Sequence, residues 1–173
     1  LVVRLIPRVI LRPETTCVLA QGMVIDPASL VSELDELGRR GHLRERGLYV
    51  SDRAHAILPY HVVVDGLREQ GKGAIGTTKR GVGPCYEDKA ARRGVTLGML
   101  RTPARLEATI ASALEAWAPT VRALGGELPT VAQVTEQLKP LAERIVPLLA
   151  DSARMVEAAV RAGDNVLFEG AQG

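Results

Sequence analysis

Residues 75–94, IGTTKRGVGPCYEDKAARRG, interleave glycines, hydroxyls and cations in a pattern suited to binding an anion. Gly76, Gly81 and Gly83 surround Thr77, Thr78, Lys79 and Arg80, and Pro84 closes the run. Glycine lets the backbone take positive φ and bring its N–H groups close to a ligand. Successive N–H groups in such a bend form an anion-binding concavity, to which hydroxyls and cations add. This is the chemistry of a phosphate cradle, and a nucleotide is the ligand it suits. From Lys72 to Arg93 six cations stand against two acids, a local net charge of +4. Arg92 and Arg93 end the stretch. Arginine's planar fork suits bidentate phosphate binding, and composition does not choose between the two.

Neighbouring motifs point elsewhere and fail. Gly71, Gly73 and Gly76 fit the dinucleotide pattern G-x-G-x-x-G, but they follow the helical run LREQ rather than a strand. The acid expected ~20 residues on is missing as well. Gly71 with Gly76, and Gly76 with Gly81, have the Walker A gap, yet neither pair is followed by Lys and Ser/Thr. The phosphate loop of any nucleoside triphosphate therefore lies outside this stretch. His42 and His55 sit among charged residues and read as solvated, whereas His61, beside Tyr60 on a helix, reads as structural. Glu87 and Asp88 diverge on a helix and suit first-turn acids or ion-pair partners better than an acid/base dyad. Cys17 and Cys85 lack metal or redox spacing and read as free thiols filling apolar space in a reducing cytoplasm.

Bulk properties narrow the class. Hydrophobic residues make up 46% and charged residues 24% of the 173, as in soluble globular proteins. Aromatics are only 3%, so the core must be built from Leu, Val, Ile and Ala. A net charge of +2 is too small for a general nucleic-acid or membrane-surface binder. No apolar run approaches the ~18 residues of a membrane span, and no signal peptide is visible. The start at Leu1 and the stop at Gly173, inside a glycine-rich run, read as the ends of a piece of a longer chain.

The elements that must position the loop are legible in outline. Thr15–Ala20 and Met23–Ile25, joined by Gln21-Gly22, predict a tight strand pair. Asp26-Pro27 predicts a helix start, with Leu30, Val31, Leu34 and Leu37 at helical spacing up to Gly41. Gly47–Val50 predicts a strand, and Ala56–Glu69 a helix with Pro59 in its first turn. Thr102-Pro103 opens a helix with Leu106, Ile110, Leu114 and Trp117 on one face, which Pro119 ends or bends. Thr130 and Gln133 form a capping box for the next helix, with breaks at Pro140 and Pro147. A further helix through Met155, Val156, Ala159 and Val160 ends at Gly163. Asn165–Phe168 then predicts a buried strand running into the turn Glu169–Gly173. Ligands bind beyond the carboxyl ends of parallel strands, which places Gln172 well for hydrogen bonding.

With these residues in view, the 75–94 stretch resembles the signature of the adenylosuccinate synthetase family. FEGAQG at the end resembles that family's second motif. RLIP at 4–7, CVLAQGMVIDPASL at 17–30 and PYHVVVD at 59–65 follow in family order, so the resemblance covers essentially the whole chain. It implies an α/β fold with a mostly parallel central sheet, a nucleotide-binding architecture with helical additions, incomplete at both ends. Residues 1–173 then form the central portion of one synthetase domain. The implied reaction joins L-aspartate to inosine monophosphate (IMP), with GTP hydrolysed and magnesium required, in a cytoplasmic homodimer serving AMP synthesis. Thr78 matches the threonine that holds the IMP 5′-phosphate. Arg92 matches the arginine that reaches IMP in the partner subunit, and Gln172 the glutamine that contacts IMP.

The departures matter equally. The family's G-D-E-G-K-G-type GTP loop, with its acid that serves as base and magnesium ligand, is absent, as is the histidine that assists phosphoryl transfer. The aspartate-binding and guanine-recognition segments are absent too. No catalytic residue and no metal ligand is therefore expected within the chain, and alone it should not turn over substrate. A noncatalytic nucleotide-binding or dimerisation homologue is the alternative. RNA binding is disfavoured, because Tyr86 is the stretch's only aromatic available for base stacking.

Overall fold

The computed structural model describes residues 5–70 and 76–170. The chain opens with a 3-10 turn at Arg8–Leu11. Strands β1 (Cys17–Leu19) and β2 (Val24–Ile25) precede helix α1 (Pro27–Arg39), and β3 (Leu48–Ser51) and β4 (His55–Ala56) follow it. Helix α2 (Pro59–Arg68) leads to the glycine loop and helix α3 (Val82–Ala90). A 3-10 turn, Leu97–Arg101, precedes α4 (Pro103–Ala123) and α5 (Val131–Ile145), and then come β5 (Leu149–Ala150) and α6 (Ser152–Ala162).

Every strand pairing is parallel. One sheet runs β1-β3-β5 and the other β2-β4, with Cys17 opposite Leu48 and Val24 opposite His55. The strand pair expected at Thr15–Ala20 and Met23–Ile25 does not form. Met23 N–H donates to the Ala20 carbonyl at 3.1 Å, closing a turn that redirects the chain into the second sheet. Both segments are buried and short, and parallel partners can be reached only through a crossover, which α1 supplies for both. The Asp26-Pro27 start holds: Asp26 Oδ1 accepts from Ala28 N–H at 3.1 Å, and Pro27 is the first helical residue. Leu30, Leu34 and Leu37 are buried as their spacing requires.

Of the three prolines expected to interrupt helices, Pro147 lies in the 3-10 turn Val146–Leu148 where α5 ends, whereas the other two do not break theirs. Pro119 lies inside α4 and Pro140 inside α5, both on exposed faces. Trp117 and Val121 flank the first and Leu138 and Ile145 the second, all buried, so core contacts on both sides outweigh one lost backbone bond. The Thr130–Gln133 capping box forms, with reciprocal bonds of 2.8 and 3.2 Å. Gly163 takes φ +82° just past α6. Asn165–Phe168 forms no strand. It has no ladder partner among the described residues, and Leu167 and Phe168 are 88% and 76% exposed.

One aliphatic core joins α1, α2, α4 and α5 to the larger sheet, with Tyr60 and Trp117 as its aromatic members. Cys17 and Cys85 are both buried and free, matching the filler reading. Among the described residues no helix is long and apolar enough to cross a membrane.

Candidate functional site

The glycine loop between α2 and α3 has the backbone its composition implies. Gly76, Lys79 and Gly81 take φ of +80°, +55° and +76°. Three left-handed positions within six residues bend the loop tightly, and the N–H groups of Gly76, Lys79 and Gly81 donate to the side chains of Glu69, Thr77 and Asp65. Gly81 also needs to be glycine for space, because a Cβ there would lie 2.8 Å from the backbone of His61 and Val62. It caps α3 without a side-chain bond, so among the described residues the N–H groups of Val82 and Gly83 have no side-chain cap, while Pro84 carries no N–H.

Asp65 on α2 pins this loop. One carboxylate oxygen accepts from Thr77 Oγ1 at 2.9 Å and the other from Gly81 N–H at 2.8 Å. Thr77 in turn accepts from Lys79 N–H at 3.3 Å. The two threonines thus separate in role. Thr77 is part of the loop's own scaffold, whereas Thr78 is exposed, and its hydroxyl has no hydrogen bond among the described residues. Lys79 and Arg80 are exposed beside it, with side chains equally uncommitted among the described residues.

The other end of α3 repeats the division with arginines. Arg92 N–H donates to the Lys89 carbonyl at 3.2 Å, and Arg93 N–H to the Asp88 carbonyl at 3.0 Å. These are the paired bonds of a Schellman termination. Arg92 occupies the left-handed position, φ +59°, where glycine is usual. For an L-residue that conformation costs roughly 1–2 kcal/mol. Arg93 Nε instead reaches back to Asp88 Oδ1 at 2.6 Å, and its guanidinium lies 5.0 Å from the Trp117 ring. Arg92 is exposed, with no ion pair among the described residues.

Asp88 is wholly buried and held by three side chains. Besides Arg93, Trp117 Nε1 donates to it at 2.9 Å and His61 Nε2 at 3.1 Å. The tautomer follows from the backbone: Leu58 N–H donates to His61 Nδ1 at 2.9 Å, so the proton must sit on Nε2. Burial pushes the Asp88 carboxyl up, but the His61, Arg93 and Trp117 donors together outweigh it and hold the group below its ordinary value. Burial, followed by the nearby Asp88 charge, pushes the Cys85 thiol up to about 12. The same two causes raise the Tyr60 phenol well above its usual range.

Several expectations are settled by this geometry. His61 is structural, as its position suggested. Glu87 and Asp88 are ion-pair partners, of Arg68 and Arg93 respectively, but they lie in the last turns of α3 rather than its first. His55 is not solvated. It belongs to β4, its Nδ1 is buried without a partner, and burial followed by the Lys89 charge holds its pKa down. Lys89 Nζ donates to the Gln21 and Gly22 carbonyls at 2.7 and 2.9 Å, fastening α3 to the turn after β1. Gln172, Gly71 and Gly73 lie outside the described residues. Thr78 and Arg92 lie beyond opposite ends of a nine-residue helix that is itself about 13 Å long.

Asp65 and Asp88 were not singled out as anchors from sequence. A signal for Asp65 exists: it stands four residues after His61, on the buried face of α2 with Val64. An acid inside an apolar stripe must be satisfied by a specific partner. Two of the three donors that satisfy Asp88 come from α2 and α4, 27 and 29 residues away, and no local spacing reveals them.

Comparison with known proteins agrees with the resemblance. The family model described as adenylosuccinate synthetase matches residues 1–173. The chain is 56% identical over 176 residues to the adenylosuccinate synthetase of Sorangium cellulosum, covering 100% of this chain and 41% of that protein. The Myxococcus xanthus enzyme of the same name is 43% identical, with 99% and 42% covered. The structure of fully ligated adenylosuccinate synthetase from Plasmodium falciparum superposes with a TM-score of 0.81 at 28% identity, covering 97% of this chain and 39% of that one. The chain thus spans about two fifths of the length of the relatives it matches. With family signature, relatives and fold in agreement along its whole length, this chain belongs to the adenylosuccinate synthetase family.

Proposed function

We propose that this chain is the central, IMP-binding portion of a full-length adenylosuccinate synthetase, a cytoplasmic homodimer that joins L-aspartate to IMP at the expense of GTP. An oxo group leaves poorly. Phosphorylating the 6-oxygen of IMP converts it into a good leaving group, which the aspartate amine then displaces. Catalysis of this kind rests on positioning and on stabilising charge at the transferred phosphoryl group. This chain's part is to hold the mononucleotide. Thr78 would donate its hydroxyl to the 5′-phosphate from the loop of residues 76–81. Arg92 would reach the IMP of the partner subunit, and Gln172 would contact IMP from the turn after Phe168.

The observation that carries the reading is the division within the two residue pairs. Thr77 and Arg93 are committed to buried carboxylates, whereas Thr78 and Arg92 are exposed and uncommitted. The ~13 Å of helix between them supports service to two sites rather than one. Among the described residues no three His, Cys, Asp or Glu side chains come together as a metal site. In this reading GTP and its magnesium would be held by segments the relatives carry beyond the matched region.

The test is Arg92→Leu in the full-length enzyme. Loss of a charge-assisted contact worth about 1.5–3 kcal/mol should raise the KM for IMP roughly ten- to hundredfold, with the melting temperature unchanged. An unchanged KM would remove Arg92 from the site. Detectable IMP binding without turnover, in a protein complete at this length, would favour the noncatalytic homologue.

A further inference from the structure

We propose that Asp88 is a positioning residue for Arg92, its buried carboxylate and its carbonyl together locking the left-handed turn from which Arg92 projects. The proposal rests on the reading of Arg92 given above. The carbonyl of Asp88 accepts from Arg93 N–H at 3.0 Å and from Gly94 N–H at 3.1 Å. Its carboxylate holds the Arg93 guanidinium at 2.6 Å. One residue thereby ties down both positions that follow Arg92. Asp88 is itself fixed from two other helices, by His61 on α2 at 3.1 Å and by Trp117 on α4 at 2.9 Å.

Arg92 needs such support. A residue with a Cβ leaves the left-handed region when released, and its side-chain direction changes with φ. The Arg92 side chain has no partner among the described residues to hold it otherwise. Schellman turns commonly add an apolar contact between the third-last helical residue and the second residue beyond the cap. Here that contact is the Asp88–Arg93 ion pair, which is directional and anchored to the core. Gly94 completes the seat: a Cβ there would stand 2.5 Å from His55 Cδ2. The turn is therefore pressed onto β4 with no slack behind it.

The experiment is a double-mutant cycle in the full-length enzyme, reading KM for IMP and kcat separately. Asp88→Asn should raise KM about tenfold and change kcat less than about twofold. In the Arg92→Leu background the same substitution should add nothing to KM, because the residue it positions is gone. An equal rise in both backgrounds, or no rise in either, overturns the proposal. If Asp88→Asn does not accumulate as folded protein, Trp117→Phe takes its place, removing one donor while keeping the ring. It should raise KM about threefold with Arg92 present and leave it unchanged without. An Arg92→Leu variant with normal KM refutes the underlying reading and this proposal with it. An impaired Arg92→Leu whose effect simply adds to that of the Asp88 variant refutes this proposal alone.

Discussion

At the start of α3 a carboxylate, Asp65, holds Thr77 and leaves Thr78 free; at its end another, Asp88, holds Arg93 and leaves Arg92 free. The arrangements share a plan and differ in chemistry. Asp65, 4% exposed, takes a hydroxyl and a backbone N–H. Asp88, 0% exposed, takes a guanidinium, an indole and an imidazole. The first anchor uses short local donors and shapes the backbone of a loop. The second draws donors from α2 and α4 and ties a helix end to the core. In the proposed reading, a loop that folds around a phosphate needs shape, whereas an arginine projecting from a turn needs a stiff base.

The contrast can be broken by mutation. Asp88→Ala should cost about 3–5 kcal/mol in urea unfolding, because it strands two buried donors, His61 and Trp117, and unpairs the half-buried Arg93. Asp65→Ala should cost less, about 1–3 kcal/mol, since it orphans one amide and a hydroxyl near solvent. Equal losses would show that the two anchors carry the same load.

Acid distinguishes Asp88 further. Its folded-state pKa lies below the ordinary carboxylate value of ~3.9. The stability it contributes is therefore complete above the unfolded value and fades as pH falls through the folded one. The gap in unfolding free energy between the parent protein and Asp88→Asn should hold from about pH 7 to 5 and narrow toward pH 3. A gap independent of pH would mean the carboxylate is not charged in the folded state.

The smallest effect has the opposite sign. Arg92→Gly relieves an L-residue in left-handed backbone and should stabilise the fold by about 1 kcal/mol, seen as a higher melting temperature. It should at the same time impair IMP use as Arg92→Leu does. Stabilisation without impairment would leave the strained arginine without a purpose.

How far all this could be read in the sequence varied with the range of the interactions. The capped starts of α1 and α5, the buried leucines of α1 and the left-handed glycines of the loop follow from residues within a few positions of one another. The pairing of β1 and β2 did not, because a short apolar run is equally suited to a hairpin or to a crossover. Pro119 and Pro140 misled for a related reason: their local cost is real, and burial of Trp117 and Ile145 overrides it. At the site, the glycine loop and its cations were plain in the chain. The choice between Thr77 and Thr78, or Arg92 and Arg93, depends on Asp65, 12 residues from Thr77, and on Asp88, whose donors His61 and Trp117 lie 27 and 29 residues away, and family resemblance rather than spacing made it. Asn165–Phe168 has the composition of a strand, but composition supplies no neighbour to pair with.

Helix α1 bears on how the molecule comes together. It is the connection between β1 and β3 and equally between β2 and β4. Neither sheet can close its first parallel pair until α1 has crossed over, and once it has, both pairs come within reach. The two sheets and α1 thereby form one connected unit, in which loss of α1 would release the first pair of both. The turn at residues 20–22, to which Lys89 fastens α3, lies within that unit. The glycine loop and the arginine turn thus rest on a platform that depends on this one helix.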